Sequence, residues 1–258
     1  MRIVDCFVHP VTQPSEEALF AVDAATLTSD LPKIAGEMSA LRVDRALLAL
    51  FHPEIHGDAH QIAESQFVIS TLADFRDRDA LDRLRLAALN GVRSITFHPY
   101  LQDLKRDTWP IALDYAREAA RLGLFICVCT AYGSRGIYHV EVLPFAAAVA
   151  DAVDCPVVFS HCGGAKALDA MLVADAFPNV LMETSFSLSY WLGSSVEIDM
   201  AYAVRKLGPE RWLYGSDAPF VPMGQALNDH LRFFERHSFG DAVVEAIMGG
   251  NAAKHLGM

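Results

Sequence analysis

Apolar positions cluster into eight short runs, at residues 2 to 9, 45 to 51, 66 to 73, 93 to 98, 124 to 130, 156 to 161, 179 to 185 and 212 to 217, and several of the intervals carry helical spacing. Such alternation of short apolar runs with helical stretches is the pattern of a parallel sheet built from strand-helix units. Residues Trp109 to Ala120 illustrate the helices: Pro110 stands in the first turn and the pattern stops before Gly123, start and stop signals in the expected order. Val140 to Val153 is rich in Ala and Val, and Ile198 to Leu207 is amphipathic and ends at Gly208-Pro209. Eight units close a (β/α)8 TIM barrel. An open doubly wound sheet shows the same alternation but normally places a glycine-rich phosphate turn after its first strand. Here residues 9 to 14 read His-Pro-Val-Thr-Gln-Pro.

Composition narrows the picture. The 258 residues are 52% hydrophobic, enough for a large core, and no Ser/Gly-rich linker, charge block or low-complexity segment divides them, so residues 1–258 read as one barrel domain. A net charge of −11, with 21 Lys and Arg dispersed along the chain, argues against a nucleic-acid surface and for a small-molecule substrate. No run approaches the roughly 20 apolar residues of a membrane span. The opening Met1-Arg2-Ile3-Val4-Asp5 puts charge where a signal peptide is apolar, so the expected location is the cytoplasm. Five cysteines, Cys6, Cys127, Cys129, Cys155 and Cys162, sit mostly in apolar runs and read as reduced thiols.

A barrel of this kind builds its active site at the carboxyl ends of its strands. The last inward residues of the runs are therefore the candidates: His9, His98, Cys129, His161, Glu183 or Ser185, and Asp217. By strand parity Cys127 faces inward below Cys129, whereas Cys6 lies opposite to His9; both read as packing. Each candidate also has a plain structural reading. A strand-end Asp caps backbone N–H groups, a core His is hydrogen-bonded, His98-Pro99 is an ordinary extended turn, and a buried thiol behaves as a small hydrophobe.

Several segments in this order resemble the amidohydrolase superfamily, in its amidohydrolase-2 branch of decarboxylases, lactonases and hydratases. They are Val4-Asp5-Cys6-Phe7-Val8-His9, Gly91 to Pro99, Val157-Val158-Phe159-Ser160-His161-Cys162-Gly163-Gly164, Tyr214-Gly215-Ser216-Asp217-Ala218-Pro219-Phe220 and Gly249-Gly250-Asn251-Ala252-Ala253-Lys254. The resemblance spans nearly the whole chain. It implies that His9 survives from a His-x-His pair whose first member is replaced by Phe7. It further implies that Asp217 is the strand-eight carboxylate that binds metal or moves the proton of an attacking water, and that His161 polarises or protonates substrate. Leu124 to Ala131 sets Cys129 where the family writes a strand-five histidine. The two departures, Phe7 and Cys129, fall on metal-binding positions. Thiolate, imidazole and carboxylate all ligate Zn²⁺, so His9, Cys129 and Asp217 are the candidate metal ligands, with His161 as fourth ligand or general base. Thr96 stands where a carbamylated lysine would bridge two metals, which argues against a binuclear centre.

The leading expectation is a hydrolase or lyase without a required metal, acting on a small carboxylated cyclic or aromatic molecule, with Asp217 as general base and His161 and His9 as polarising groups. Arg135 is the candidate for gripping the carboxylate, because a guanidinium pairs with it bidentately; Tyr132, His98 and Ser185 are further substrate contacts. One rival keeps a single Zn²⁺ on His9, Cys129 and Asp217. Another is a non-catalytic binder that retains the barrel. The loop from Phe51 to His60 holds three histidines at no metal-motif spacing and reads as solvated. Phe186 to Ser195, with Tyr190 and Trp191, reads as an aromatic flap, a substrate wall or a contact in a homo-oligomer.

Overall fold

A computed structural model describes residues 1–14, 19, 22–51, 66–131 and 135–258, with the backbone alone at Ala24, Arg135 and Ile137. Eight parallel strands follow one another around a single sheet in chain order: β1 (Val4–Val8), β2 (Arg45–Leu50), β3 (Phe67–Leu72), β4 (Val92–Phe97), β5 (Phe125–Cys129), β6 (Val157–Ser160), β7 (Val180–Glu183) and β8 (Trp212–Leu213). The ring closes between its first and last members. Cys6 N–H donates to Tyr214 O, Asp217 N–H to Phe7 O and His9 N–H to Ala218 O, at 2.9, 2.9 and 2.8 Å. The result is the expected (β/α)8 TIM barrel in one domain.

The helices end where the local signals place them. Trp109–Arg121 begins with Pro110 in its first turn, Val142–Ala152 leads into β6, and Ser195–Leu207 is capped by the Ser194 hydroxyl and stops at Gly208, φ 95°. None of the described helices is long and apolar enough to cross a membrane.

Two apolar clusters sandwich the strands. Alternate residues such as Leu48, Phe97, Phe159 and Trp212 pack outward under the helices, and each such side chain contributes about 1.5–3 kcal/mol of burial. The other set, Val4, Cys6, Leu47, Phe125, Cys127, Val158, Leu181 and Leu213, fills the barrel and is plugged by Leu256 and Met258. Asn251 pins that plug, its amide donating to Pro209 O and Trp212 O at 2.8 Å each. All five cysteines are free thiols, four of them buried.

One parity expectation fails. Cys6 shares the inner cluster with Cys127, because pairing of β1 with β2 shifts between Asp5 and Val8. A bulge of this kind re-aims the residues beyond it, and Phe7 and His9 thereby reach the mouth of the barrel.

Candidate active site

A cavity of about 160 Å³ opens at the carboxyl ends of the strands. Phe7 and His9 come to it from β1, His98 and Tyr100 from β4, Ala131 from β5, His161 from β6, Phe186 from β7, and Asp217 and Phe220 from β8. Three of these residues, His161 (φ 66°), Phe186 (φ 55°) and Asp217 (φ 67°), hold left-handed backbone conformations. That is costly for residues with a Cβ and tends to cluster at functional sites.

Barrel closure brings His9 and Asp217 together, with Nε2 and Oδ1 3.1 Å apart and both residues buried. The other ring nitrogen, Nδ1, is buried without a partner among the described residues. Aromatic edges surround the imidazole: Phe7, Phe51 and Phe220 lie at 5.3, 5.4 and 5.4 Å between centroids. Leaving an N–H unpaired there is expensive, so the proton belongs on Nε2, which donates to Asp217 Oδ1. Oδ2 is then the oxygen left for a substrate or water.

His161 is fixed the other way round. Its Nδ1 lies 3.1 Å from the Ser185 carbonyl and 2.9 Å from the Ser185 hydroxyl. A carbonyl only accepts, so Nδ1 carries the proton and Nε2 is bare. The following residues Cys162, Gly163 and Gly164 keep positive φ, and a Cβ on Gly163 would stand 2.6 Å from that of Ala170. Gly163 N–H donates to Thr130 Oγ1 at 2.8 Å, which ties this turn to the end of β5. Burial lowers the pKa of His161, and it drives His98 well below the ordinary range, helped by the neighbouring His161 and His9. Near neutral pH both are uncharged. The Nδ1 of His98 is buried and unpaired, and its ring meets Tyr100 edge-on at 4.3 Å.

Two further carboxyls lie beneath the cavity. Glu183 is raised to about 8 and Asp5 to about 7, both chiefly by burial. Glu183 accepts from Ser185 N–H, from the Ser185 hydroxyl at 2.7 Å and from His161 N–H at 3.2 Å. Asp5 Oδ1 accepts from Ser216 N–H at 2.8 Å and Phe7 N–H at 3.3 Å.

Of the residues expected from sequence, His9, His98, His161 and Asp217 line one cavity, and Ser185 braces His161 from behind. Cys129 sits lower in the barrel: it is fully buried, its thiol lies 3.8 Å from Tyr100 Oη, and burial pushes its pKa up to about 12. Ala131 takes its place at the cavity wall. Tyr132, the Arg135 side chain and His52, His56 and His60 lie outside the described residues. The flap supplies Phe186 to the wall, stacked on Tyr190 at 5.3 Å. Tyr100 and Phe220 were not anticipated as cavity residues, although Tyr100 directly follows His98-Pro99 and Phe220 closes the segment Tyr214 to Phe220.

The described donors do not fit a divalent ion. No group of three or more His, Cys, Asp or Glu among the described residues is placed to hold one. His9 and Asp217 Oδ1 are occupied with each other, and the Cys129 thiol is held protonated. The Phe7 ring touches both His9 and His161, at 5.3 and 5.1 Å.

The family model described as Amidohydrolase matches residues 52–258. Among curated proteins, none matches the chain. Solved structures share the fold at low identity. The 5-carboxyvanillate decarboxylase of Sphingomonas paucimobilis is 19% identical, with a TM-score of 0.67 and coverage of 100% of this chain and 99% of that one. A probable 2-pyrone-4,6-dicarboxylic acid hydrolase of Acinetobacter baumannii, solved with citric acid bound, is 13% identical with a TM-score of 0.70, both chains being covered in full, 100% and 100%. A dihydroxybenzoic acid decarboxylase of Polaromonas sp. JS666, with bound manganese and 2-nitroresorcinol, is 12% identical with a TM-score of 0.60, covering 99% of this chain and 97% of that one.

Proposed function

The chain belongs to the amidohydrolase family, and from that premise we propose that it is a hydrolase or decarboxylase for a small carboxylated aromatic or cyclic substrate, with Asp217 as general base and His161 and His9 as its partners. The observation that carries this reading is the buried His9–Asp217 pair, at 3.1 Å, in the cavity that His161 also lines. By donating to Oδ1, His9 orients the carboxylate so that Oδ2 faces the proton it is to take. His161 presents a bare Nε2. Taking over the proton that Asp217 has drawn from water or a substrate hydroxyl, it becomes an imidazolium whose Nε2–H stabilises a developing oxyanion and then gives that proton to the leaving oxygen or, in decarboxylation, to the ring carbon that has lost CO2.

The cavity volume of about 160 Å³ matches one six-membered ring, since a pocket of roughly 150 Å³ takes benzene. Aromatic walls at Phe7, Tyr100, Phe186 and Phe220 suit a planar ring. Arg135 is the proposed carboxylate grip. Its neighbour Gly136 packs on Tyr100, where an added Cβ would stand 3.3 Å from the Tyr100 carbonyl oxygen, so this stretch of chain borders the rim. Relatives in the fold include a manganese protein; the donors described here do not fit such an ion, and no step of this reading passes through one.

The test is a screen of lactones and carboxylated phenols, scored separately for acid release and CO2 release, on the native chain and on Asp217→Asn. Turnover by the native chain that the variant loses supports the reading; full activity in the variant overturns it.

A further inference from the structure

We propose that Glu183, acting through Ser185, is the positioning residue that fixes His161 with its proton on Nδ1 and its bare Nε2 toward the cavity. This rests on the proposed role of His161 as a proton acceptor, and it accounts for a buried carboxyl that the chemistry above leaves unused.

Among the described residues, every acceptor that faces His161 Nδ1 belongs to Ser185, and Ser185 is held by Glu183. The Ser185 backbone N–H and hydroxyl both donate to the carboxyl, the hydroxyl at 2.7 Å. A hydroxyl has one proton. With Glu183 ionised and that proton committed to it, the Ser185 oxygen turns its lone pairs to Nδ1 at 2.9 Å, beside the Ser185 carbonyl at 3.1 Å. Glu183 also accepts the His161 N–H at 3.2 Å, so the same group steadies the left-handed backbone from which the imidazole projects. Glu183 and Ser185 are fully buried and His161 nearly so, which makes each of these bonds costly to lose.

The neighbouring strand is shaped to admit the carboxyl. A Cβ at Gly215 would collide with Glu183 Oε1 and come within 3.0 Å of Ser185 Cβ. The glycine of the Gly-Ser-Asp segment therefore supplies room for Glu183, and the ends of β6, β7 and β8 meet at one side chain. Burial that raises Glu183 toward about 8 is opposed by these same hydrogen bonds from Ser185 and His161.

The readout that needs no substrate is the ¹⁵N spectrum of the histidine side chains, with His161 assigned by its loss in His161→Gln. Recorded at pH 9, above the value of about 8 to which burial raises Glu183, the native chain shows the Nδ1–H tautomer. Glu183→Gln puts an amide NH2 among N–H donors; the single tautomer is lost, and kcat on whichever lactone or carboxylated phenol the screen identifies falls about tenfold or more with KM nearly unchanged. Folded Glu183→Gln with the native ¹⁵N pattern and native kcat overturns the proposal. If Glu183→Gln does not fold, the Ser185 pair decides: Ser185→Thr retains kcat and Ser185→Ala loses it, whereas equal values for the two overturn the proposal. A native chain that shows the expected tautomer yet turns over no substrate would count against the proposed function and not against this inference.

Discussion

His9 Nε2 and Asp217 Oδ1 stand 3.1 Å apart across 208 positions of sequence, joined by the closing hydrogen bonds of the barrel. The pair separates structure from chemistry. Asp217→Asn keeps an amide oxygen for His9 to bond but removes the proton acceptor. The expected outcome is a fall in kcat of about 10²–10⁴-fold with a melting temperature close to native, read by steady-state kinetics and circular dichroism on the same preparation.

Phe7 lies edge-on to both His9 and His161, where a phenyl ring offers no ligand. Chelator treatment is expected to leave activity unchanged, and purified protein to hold far less than one equivalent of divalent metal by elemental analysis. Phe7→His should raise Zn²⁺ or Mn²⁺ uptake relative to native, because it adds an imidazole next to two others. Stoichiometric metal in the native chain, lost together with activity on chelation, would contradict this reading of the donors.

The strands were legible because their periodicity is strong: 124 to 130 became Phe125–Cys129, and the helix read at Trp109 to Ala120 runs Trp109–Arg121. The lining of the cavity was legible wherever a strand ends on a residue of obvious chemistry, as at His9, His98, His161 and Asp217. Cys129 does not line it, because the chain runs on for two more residues toward the mouth before Ala131 reaches the cavity. Cys6 misled for another reason. A bulge resets parity within β1, and alternation alone carries no sign of it. The part played by Glu183 depends on Ser185, His161 and Gly215 meeting in space, a relation between three strand ends that no one segment encodes.

Gly215→Ala tests that meeting directly. The new methyl runs into the Glu183 carboxyl, and overpacking of this kind costs about 1–3 kcal/mol. In a Glu183→Ala background the nearer obstacle is gone and only the contact with Ser185 Cβ remains, so the same substitution should cost less. A double-mutant cycle of denaturant midpoints measures the coupling, and additive effects would mean that the two side chains do not compete for the space.

Stability should fall as pH rises from about 6.5 to 8. Burial raises Asp5 from 3.8 to about 7 and Glu183 from 4.5 to about 8. Between the unfolded and folded values the native chain holds protons that the unfolded chain has released, so unfolding releases protons and higher pH favours it. The buried histidines act oppositely: His230 is lowered from 6.5 to about 4, and His98 and His161 are also lowered, so their contribution grows with pH only up to about 6.5. From there to about pH 8 the carboxyls act alone. Melting temperature should therefore decline from pH 6.5 to 8, with a further fall above about 9, where the buried thiols keep protons that the unfolded chain gives up, and Glu183→Gln, which has no proton to lose, should flatten the decline between pH 7 and 8, where Asp5 is already titrated. A native melting temperature that climbs across this window would show that Glu183 is ionised in the fold well below neutrality.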